Sequence, residues 1–343
     1  MHLVKKILIL VIVFISIMII YNLLKSRQSI KLNYAKEKQE LKEGFGVAIG
    51  DLPEKYLSLP IREFIVKSSY NTAINESNIA EKGQIQKVLE RGCRLLDFEI
   101  YTRNDIEYVS YSKDPEYQSM DTQNESNNRL SLGDAFITTI GYAFTNPAPS
   151  PKDPLFISLR IKNNSAETYS RIATLIENNF KNKLYDGKVN GETQLKDLMG
   201  KVIIIMDTTS SPDYKELIKC PSSPCFKISD YVNLEAGTIS FSKYTYSDLD
   251  TLPQSSVMTN PAETKTDNKR FMMITPTQME QLNPPNPVEI ISKLHPQFLL
   301  YKFSKNSDEL TAYEDIFNKN LSAFVPVAAI VLEERKENSA KGT

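Results

Sequence analysis

Apolar residues are distributed in three regimes along the chain: one continuous run, then short alternating or fully apolar segments, then stripes at helical spacing. The continuous run covers residues 7–24 and is interrupted only by Ser16, Tyr21 and Asn22, with Lys5 and Lys6 before it and Lys25 and Arg27 after it. A buried soluble helix is rarely apolar on all sides for this length, so the run predicts a membrane span. A cleaved signal peptide would have a shorter apolar core and a small-residue cleavage site, which residues 22–26 do not offer. Residues 1–28 are therefore read as an N-terminal anchor. Residues 29–56 are charged and helix-prone, and are read as a stalk or solvated linker.

The globular domain is expected over residues 57–332, with a flexible tail over 333–343. In its first half, strands are predicted at 64–68, 95–101, 106–112, 155–161 and 202–206. Helices are predicted at 79–91, at 131–144 behind a Ser131 cap, from Asn164 or Ser165 onward, and briefly at 193–198. The helix after Ser165 carries Ile172, Leu175, Ile176 and Phe180 as a stripe for the core. Alternation of strand and helix predicts parallel strands joined by helical crossovers. Residues 112–128 form a polar loop and 210–227 a Pro/Ser-rich connector. In the second half, 228–332, strands at 270–275, 297–303 and 323–332 and helices at 288–294 and 310–318 would complete a barrel.

Composition narrows the chemistry. The 343 residues carry a net charge of -1, with both signs mixed along the chain, so no nucleic-acid partner is expected. Three cysteines and two histidines cannot furnish a zinc-finger array or a histidine-rich metal site. Cys93 is expected to pack as a small apolar residue. Cys220 and Cys225 flank Pro-Ser-Ser-Pro and are a candidate disulfide, an outcome that the redox compartment decides. The lysine and arginine balance around residues 7–24 favours the C-terminal portion on the cytoplasmic side, whereas that disulfide would point the other way.

The segment the chain is organised around reads Gly92-Cys93-Arg94-Leu95-Leu96-Asp97-Phe98-Glu99-Ile100-Tyr101. On a strand, Asp97 and Glu99 share one face. Two adjacent acids repel each other and need a cation, a basic side chain or water between them. Upstream stands Ser68-Ser69-Tyr70-Asn71-Thr72, after the apolar Phe64-Ile65-Val66. Together these segments resemble the X domain of phosphatidylinositol-specific phospholipase C, in which Ser-Ser-His-Asn-Thr ends a first strand and Gly-Cys-Arg opens an acidic one. The specific match covers residues 58–207, through Leu195 and Gly200-Lys201 into the strand at 202–206.

The resemblance implies an α/β fold, a distorted TIM-type (β/α) barrel of the phospholipase C-like phosphodiesterase kind, here following an N-terminal transmembrane helix. It also assigns positions. The family's first catalytic histidine falls on Tyr70 and its second on Ser110, or on Tyr111 if the register slips by one. Asn71, Asp97 and Glu99 match metal ligands of the calcium-dependent branch. Arg160 stands where a further calcium-ligating glutamate belongs, so it is expected to pair with the acids and to keep calcium out. The chain's two histidines are His2, ahead of the apolar run, and His295, expected to be structural.

The expectation is therefore a divergent member with no cofactor and no catalytic residue in the family's sense. Its vestigial pocket would be built from Tyr70, Asn71, Asp97, Glu99, Ser110, Tyr111 and Arg160. Its role would be structural or scaffold-like at a membrane, and by analogy with similar domains of large DNA viruses, at a virion. The alternatives are a divergent phosphodiesterase acting on phosphoinositides and a module that binds an anionic lipid headgroup. Partners are the membrane, through residues 7–24, and proteins of unspecified kind.

Overall fold

A computed structural model of the chain describes residue 18 and residues 48–112, 128–218, 225–252 and 270–341. The apolar run at 7–24 lies outside the described residues apart from Met18, as do Cys220 and most of the 112–128 loop. Among the described residues, no helix is long and apolar enough to cross a membrane. The chain divides into two units, 1–47 and 48–343, and only the second is described in detail.

The second unit opens with an extended strap. Gly50 bridges to Ser322, the Leu52 amide donates to Asp153 Oδ1 at 2.9 Å, and Ile49 and Leu52 are buried. Residues 48–56, read from charge as the last part of the 29–56 stalk, thus belong to the globular unit, while residues 29–47 lie outside the described residues. Charge density failed as a guide because two buried apolar side chains outweigh the flanking acids.

The elements in chain order are β1 (Phe64–Tyr70), α1 (Lys82–Glu90), β2 (Leu95–Arg103), β3 (Ile106–Val109), β4 (Leu130–Ser131), α2 (Leu132–Ala143), β5 (Leu155–Ile161), α3 (Ala166–Phe180), α4 (Leu195–Leu198) and β6 (Val202–Asp207). They continue with α5 (Ile228–Tyr231), β7 (Val232–Ala236), β8 (Phe241–Thr245), β9 (Phe271–Thr275), α6 (Pro287–Leu294), β10 (Phe298–Lys302), α7 (Asp308–Lys319), β11 (Phe324–Pro326) and α8 (Val327–Lys341).

Eight strands run parallel in the order β7-β6-β5-β2-β1-β10-β9-β8. The ring is nearly closed: β7 and β8 lie side by side without pairing and are joined by a tight turn, in which the Gly237 amide donates to the Phe241 carbonyl. Helix starts follow capping chemistry. The side chains of Ser131, Ser165, Asn286 and Ser307 accept from backbone amides in the first turns of α2, α3, α6 and α7, satisfying donors that the helices leave open.

Two expected features in the last segment change. The 323–332 strand is only three residues long, because Pro326 has no amide to continue a ladder, and the chain turns there into α8. The 333–343 tail is part of that helix as far as Lys341. The sequence reading also passed over β7 and β8.

Strand alternation gives the barrel interior two characters. Phe156, Phe241, Phe271 and Phe298 come from the early positions of β5, β8, β9 and β10, and their rings meet at centroid distances of 5.3–6.4 Å. Steps of two along the same strands lead to Arg160, Lys243 and Thr275 near the C-terminal ends. One face of each strand therefore builds an apolar floor and a polar mouth, with the mouth at the end where barrel enzymes hold their chemistry.

Candidate functional site

Parallel pairing puts Glu99 of β2 opposite Arg160 of β5, and Tyr70 at the end of β1, beside β2. Asn71 follows with a positive φ of 44°, a backbone conformation that asparagine tolerates better than most residues. That turn aims its amide at Asp97 Oδ2, 3.1 Å away.

The Arg160 guanidinium sits in the middle. Its Nε donates to both Asp97 oxygens at 3.1 and 3.2 Å, and its Nη2 to Asp97 Oδ2 at 2.9 Å and Asn71 Oδ1 at 2.5 Å. Its Nη1 donates to Glu99 Oε2 at 3.0 Å. The Tyr70 ring lies 4.5 Å from the guanidinium carbon, a cation–π contact. Asn71 Nδ2 also reaches Glu99 Oε2, at 3.4 Å, and the Tyr101 hydroxyl donates to Glu99 Oε1. Asp97, Glu99, Tyr70 and Asn71 are all buried, as is Arg160 itself.

The electrostatics follow from that geometry. Burial opposes the charge of Arg160, but Asp97, Tyr70 and Glu99 outweigh it and hold the guanidinium firmly protonated. Burial pushes the Tyr70 phenol well above its ordinary range, with Arg160 pulling the other way and the two acids adding to the rise. The two carboxylates have found the compensation they need in arginine, through forked, charge-assisted bonds.

Calcium prefers six to eight oxygen ligands. The oxygens of Asn71, Asp97 and Glu99 would suit it, but a fixed guanidinium fills the space between them and repels a cation. These residues do not fit the metal, and among the described residues no other group of His, Cys, Asp and Glu side chains would hold one.

Tyr70, Asn71, Asp97, Glu99 and Arg160 are thus brought together. Ser110 and Tyr111 are buried nearby but do not line the cavity described below: the Ser110 hydroxyl donates to the Asn128 carbonyl at 2.5 Å, and its amide to the Glu99 carbonyl. His295 ends α6 with a φ of 49°, just before β10, so it stands at the opposite end of the barrel. Cys225 is disulfide-bonded, while Cys220, named with it from the sequence, lies outside the described residues. Cys93 is a buried free thiol, and burial pushes it up to about 12.

Beside Arg160 opens a cavity of about 390 Å³, lined by Tyr70, Arg160, Lys162, Lys243 and a series of hydroxyl side chains that includes Thr209 and Ser210. Its far wall comes from the ends of β6 and β8. Lys243 Nζ lies 2.7 Å from Asp207 Oδ2, and the Thr209 hydroxyl donates to Asp207 Oδ1 at 2.6 Å. Burial pushes Asp207 up, but Lys243 and the Thr209 hydroxyl outweigh it and hold the carboxyl below its usual range. This wall is absent from the sequence reading. Its signal was the five-residue β8, Phe241–Thr245, in which Lys243 and Thr245 break the apolar alternation that would have marked a strand.

Residues 57–207 match the family profile described as "Phosphatidylinositol-specific phospholipase C, X domain". Among solved structures, PLC21 of L. pealei superposes with a TM-score of 0.59 at 14% identity, covering 79% of this chain and 37% of that one. PLC21 of S. officinalis gives 0.54 at 14% identity, with the same coverage of 79% and 37%. The chain therefore spans little more than a third of the length of these structures, and at such identity the likeness speaks for the fold. No curated protein sequence matches the chain. Over residues 57–207 the chain is thus similar to the X domain of the phosphatidylinositol-specific phospholipase C family, and its nearly closed parallel barrel shares the fold of the PLC21 structures.

Proposed function

We propose that this is a phospholipase C-like module that does not cleave phosphodiesters, is held at a membrane by residues 7–24, and takes a phosphoinositide-type headgroup into the cavity beside Arg160. Its role is that of a scaffold or adaptor, and a virion membrane is one setting that fits. The observation that carries the reading is the Arg160 guanidinium bonded at once to Asn71, Asp97 and Glu99. It stands in the space a metal would need and leaves no carboxylate oxygen pair open to one.

Acid–base chemistry is equally short of groups. Attack of a polyol hydroxyl on phosphorus needs a base for the attacking hydroxyl and an acid for the leaving oxygen. Tyr70, at the first histidine position, has its phenol raised by burial and is a poor proton acceptor near neutrality. Ser110, at the second, is turned toward a backbone carbonyl. Each missing group is worth roughly 10²–10⁴-fold, so the loss of both is on the order of 10⁴–10⁸. What the cavity retains is cations and hydroxyls suited to holding a phosphate ester.

The test is direct. The purified full-length chain, given phosphatidylinositol vesicles and calcium, should release no inositol phosphate and should co-sediment with the vesicles. Turnover that Tyr70→Phe abolishes would overturn the reading and make the chain a divergent phosphodiesterase.

A further inference from the structure

The cavity has as many carboxylates behind its walls as cations on them. Among the described residues, the cations lining it are Arg160, Lys162 and Lys243. Behind Arg160 stand two acids, with Asp97 Oδ2 2.9 Å and Glu99 Oε2 3.0 Å away. Behind Lys243 stands a third, with Asp207 Oδ2 2.7 Å away. A cavity lined by basic side chains reads at first as a site for a highly charged anion, yet its formal charge balances.

Resting on the headgroup reading above, we infer that the cavity selects a polyol phosphodiester with a single negative charge over a headgroup bearing phosphomonoesters, and that Asp207 sets this selectivity. A phosphomonoester carries a charge of about -1.5 to -2 at neutral pH. Several of them brought into this cavity would meet Arg160 and Lys243 already neutralised from behind, and would lose hydration without an equivalent return. A diester brings one charge, and the hydroxyls of its polyol meet the side chains of Thr209, Ser210, Thr245, Thr275 and Thr277 on the lining. The volume of about 390 Å³ lies in the range of small-molecule sites, roughly 300–1,000 Å³.

Asp207 is placed to enforce this. It is 1% exposed, and an entering phosphate cannot displace it, because both oxygens are held. Oδ1 accepts from the Thr209 amide at 3.0 Å and the Thr209 hydroxyl at 2.6 Å, while Oδ2 accepts from the Ser210 hydroxyl at 3.2 Å and from Lys243. Lys243 itself lies 3.3 Å from the Thr209 hydroxyl, so the carboxylate, the ammonium and two hydroxyls form one wall. Asp207→Asn keeps the shape of this wall and removes one negative charge from it.

Titration calorimetry on the full-length chain, with glycerophosphoinositol as the monoanionic diester and inositol 1,4,5-trisphosphate as the polyphosphate, tests the inference. The wild-type chain should bind the diester at least about tenfold more tightly, a difference of about 1.4 kcal/mol. Asp207→Asn should narrow or reverse that order. Lys162→Gln removes a cation just after β5, away from the Asp207 wall, and should weaken both ligands without reversing them; this variant keeps the test open if Asp207→Asn does not fold. Equal or tighter binding of the trisphosphate by the wild-type chain overturns the selectivity and leaves the headgroup reading standing. An unchanged preference in folded Asp207→Asn removes Asp207 from the argument. Binding of neither ligand overturns both readings.

Discussion

Arg160 is the residue on which the site turns. Asp97 and Glu99 are buried, and their charges are tolerated because one guanidinium bonds to both. Removing one partner of such a cluster leaves uncompensated buried charge and costs about 3–5 kcal/mol. Arg160→Gln should therefore lose stability on that scale in urea unfolding. It should also open the space between Asn71, Asp97 and Glu99 to a hard cation. Millimolar calcium is then expected to raise the melting temperature of Arg160→Gln and to leave that of the wild-type chain unchanged. A calcium response in the wild-type chain, or none in the variant, would show that the arginine does not stand in for a metal. The pairing of this arginine with the two acids was legible from the sequence. Two acids two residues apart on a strand need a counter-charge, and the aligned position supplied one. Asp207 was not legible, because its meaning depends on Lys243, which is 36 residues away on a strand that no motif marks.

At the scale of elements, the strap at 48–56 and the β5 entrance share one titrating contact. Asp153 accepts the Leu52 amide and lies fully buried. Burial pushes its carboxyl up to about 6, with the Leu52 amide and Arg94 pulling down and Asp51 pushing further up. A carboxyl raised in the folded state favours folding below its unfolded pKa of about 4, and that contribution is lost as pH rises through about 6. Asp153→Asn keeps an oxygen for the Leu52 amide and abolishes the titration. It should flatten the melting temperature between pH 4 and 7 and gain up to about 3 kcal/mol at pH 7. A variant that still loses stability over that interval would place the titration elsewhere. The elements themselves were well marked wherever local chemistry decides them. Ser131 and Ser165 announce their helices by capping, and β5 reads as seven consecutive buried residues. The errors fall where a distant partner decides. β7 and β8 are strands because β6 and β9 pair with them, and the segment after Pro326 is a helix although it is rich in β-branched and apolar residues.

At the scale of the molecule, the domain boundary makes a further prediction. A chain beginning at Ala48 retains Ile49 and Leu52 in their buried places, whereas one beginning at Leu57 loses both. Each such side chain contributes roughly 1.5–3 kcal/mol on burial. The shorter chain should melt measurably lower than the longer one, and equal melting temperatures would mean the strap is ornamental. The strap also has a direction. A Cβ on Gly92, just ahead of β2, would come 2.8 Å from Ile49; Gly50 bridges Ser322, just ahead of β11; Leu52 bonds Asp153, just ahead of β5. All three contacts are with residues that precede strands, while Tyr70, Asp207 and Thr245 stand where strands finish. An attachment made through the amino end of this unit therefore grips it by the back. Captured that way on a sensor chip, the barrel would turn its open mouth to the flowing solution, whereas coupling through the loop that follows β9 would press the mouth against the support.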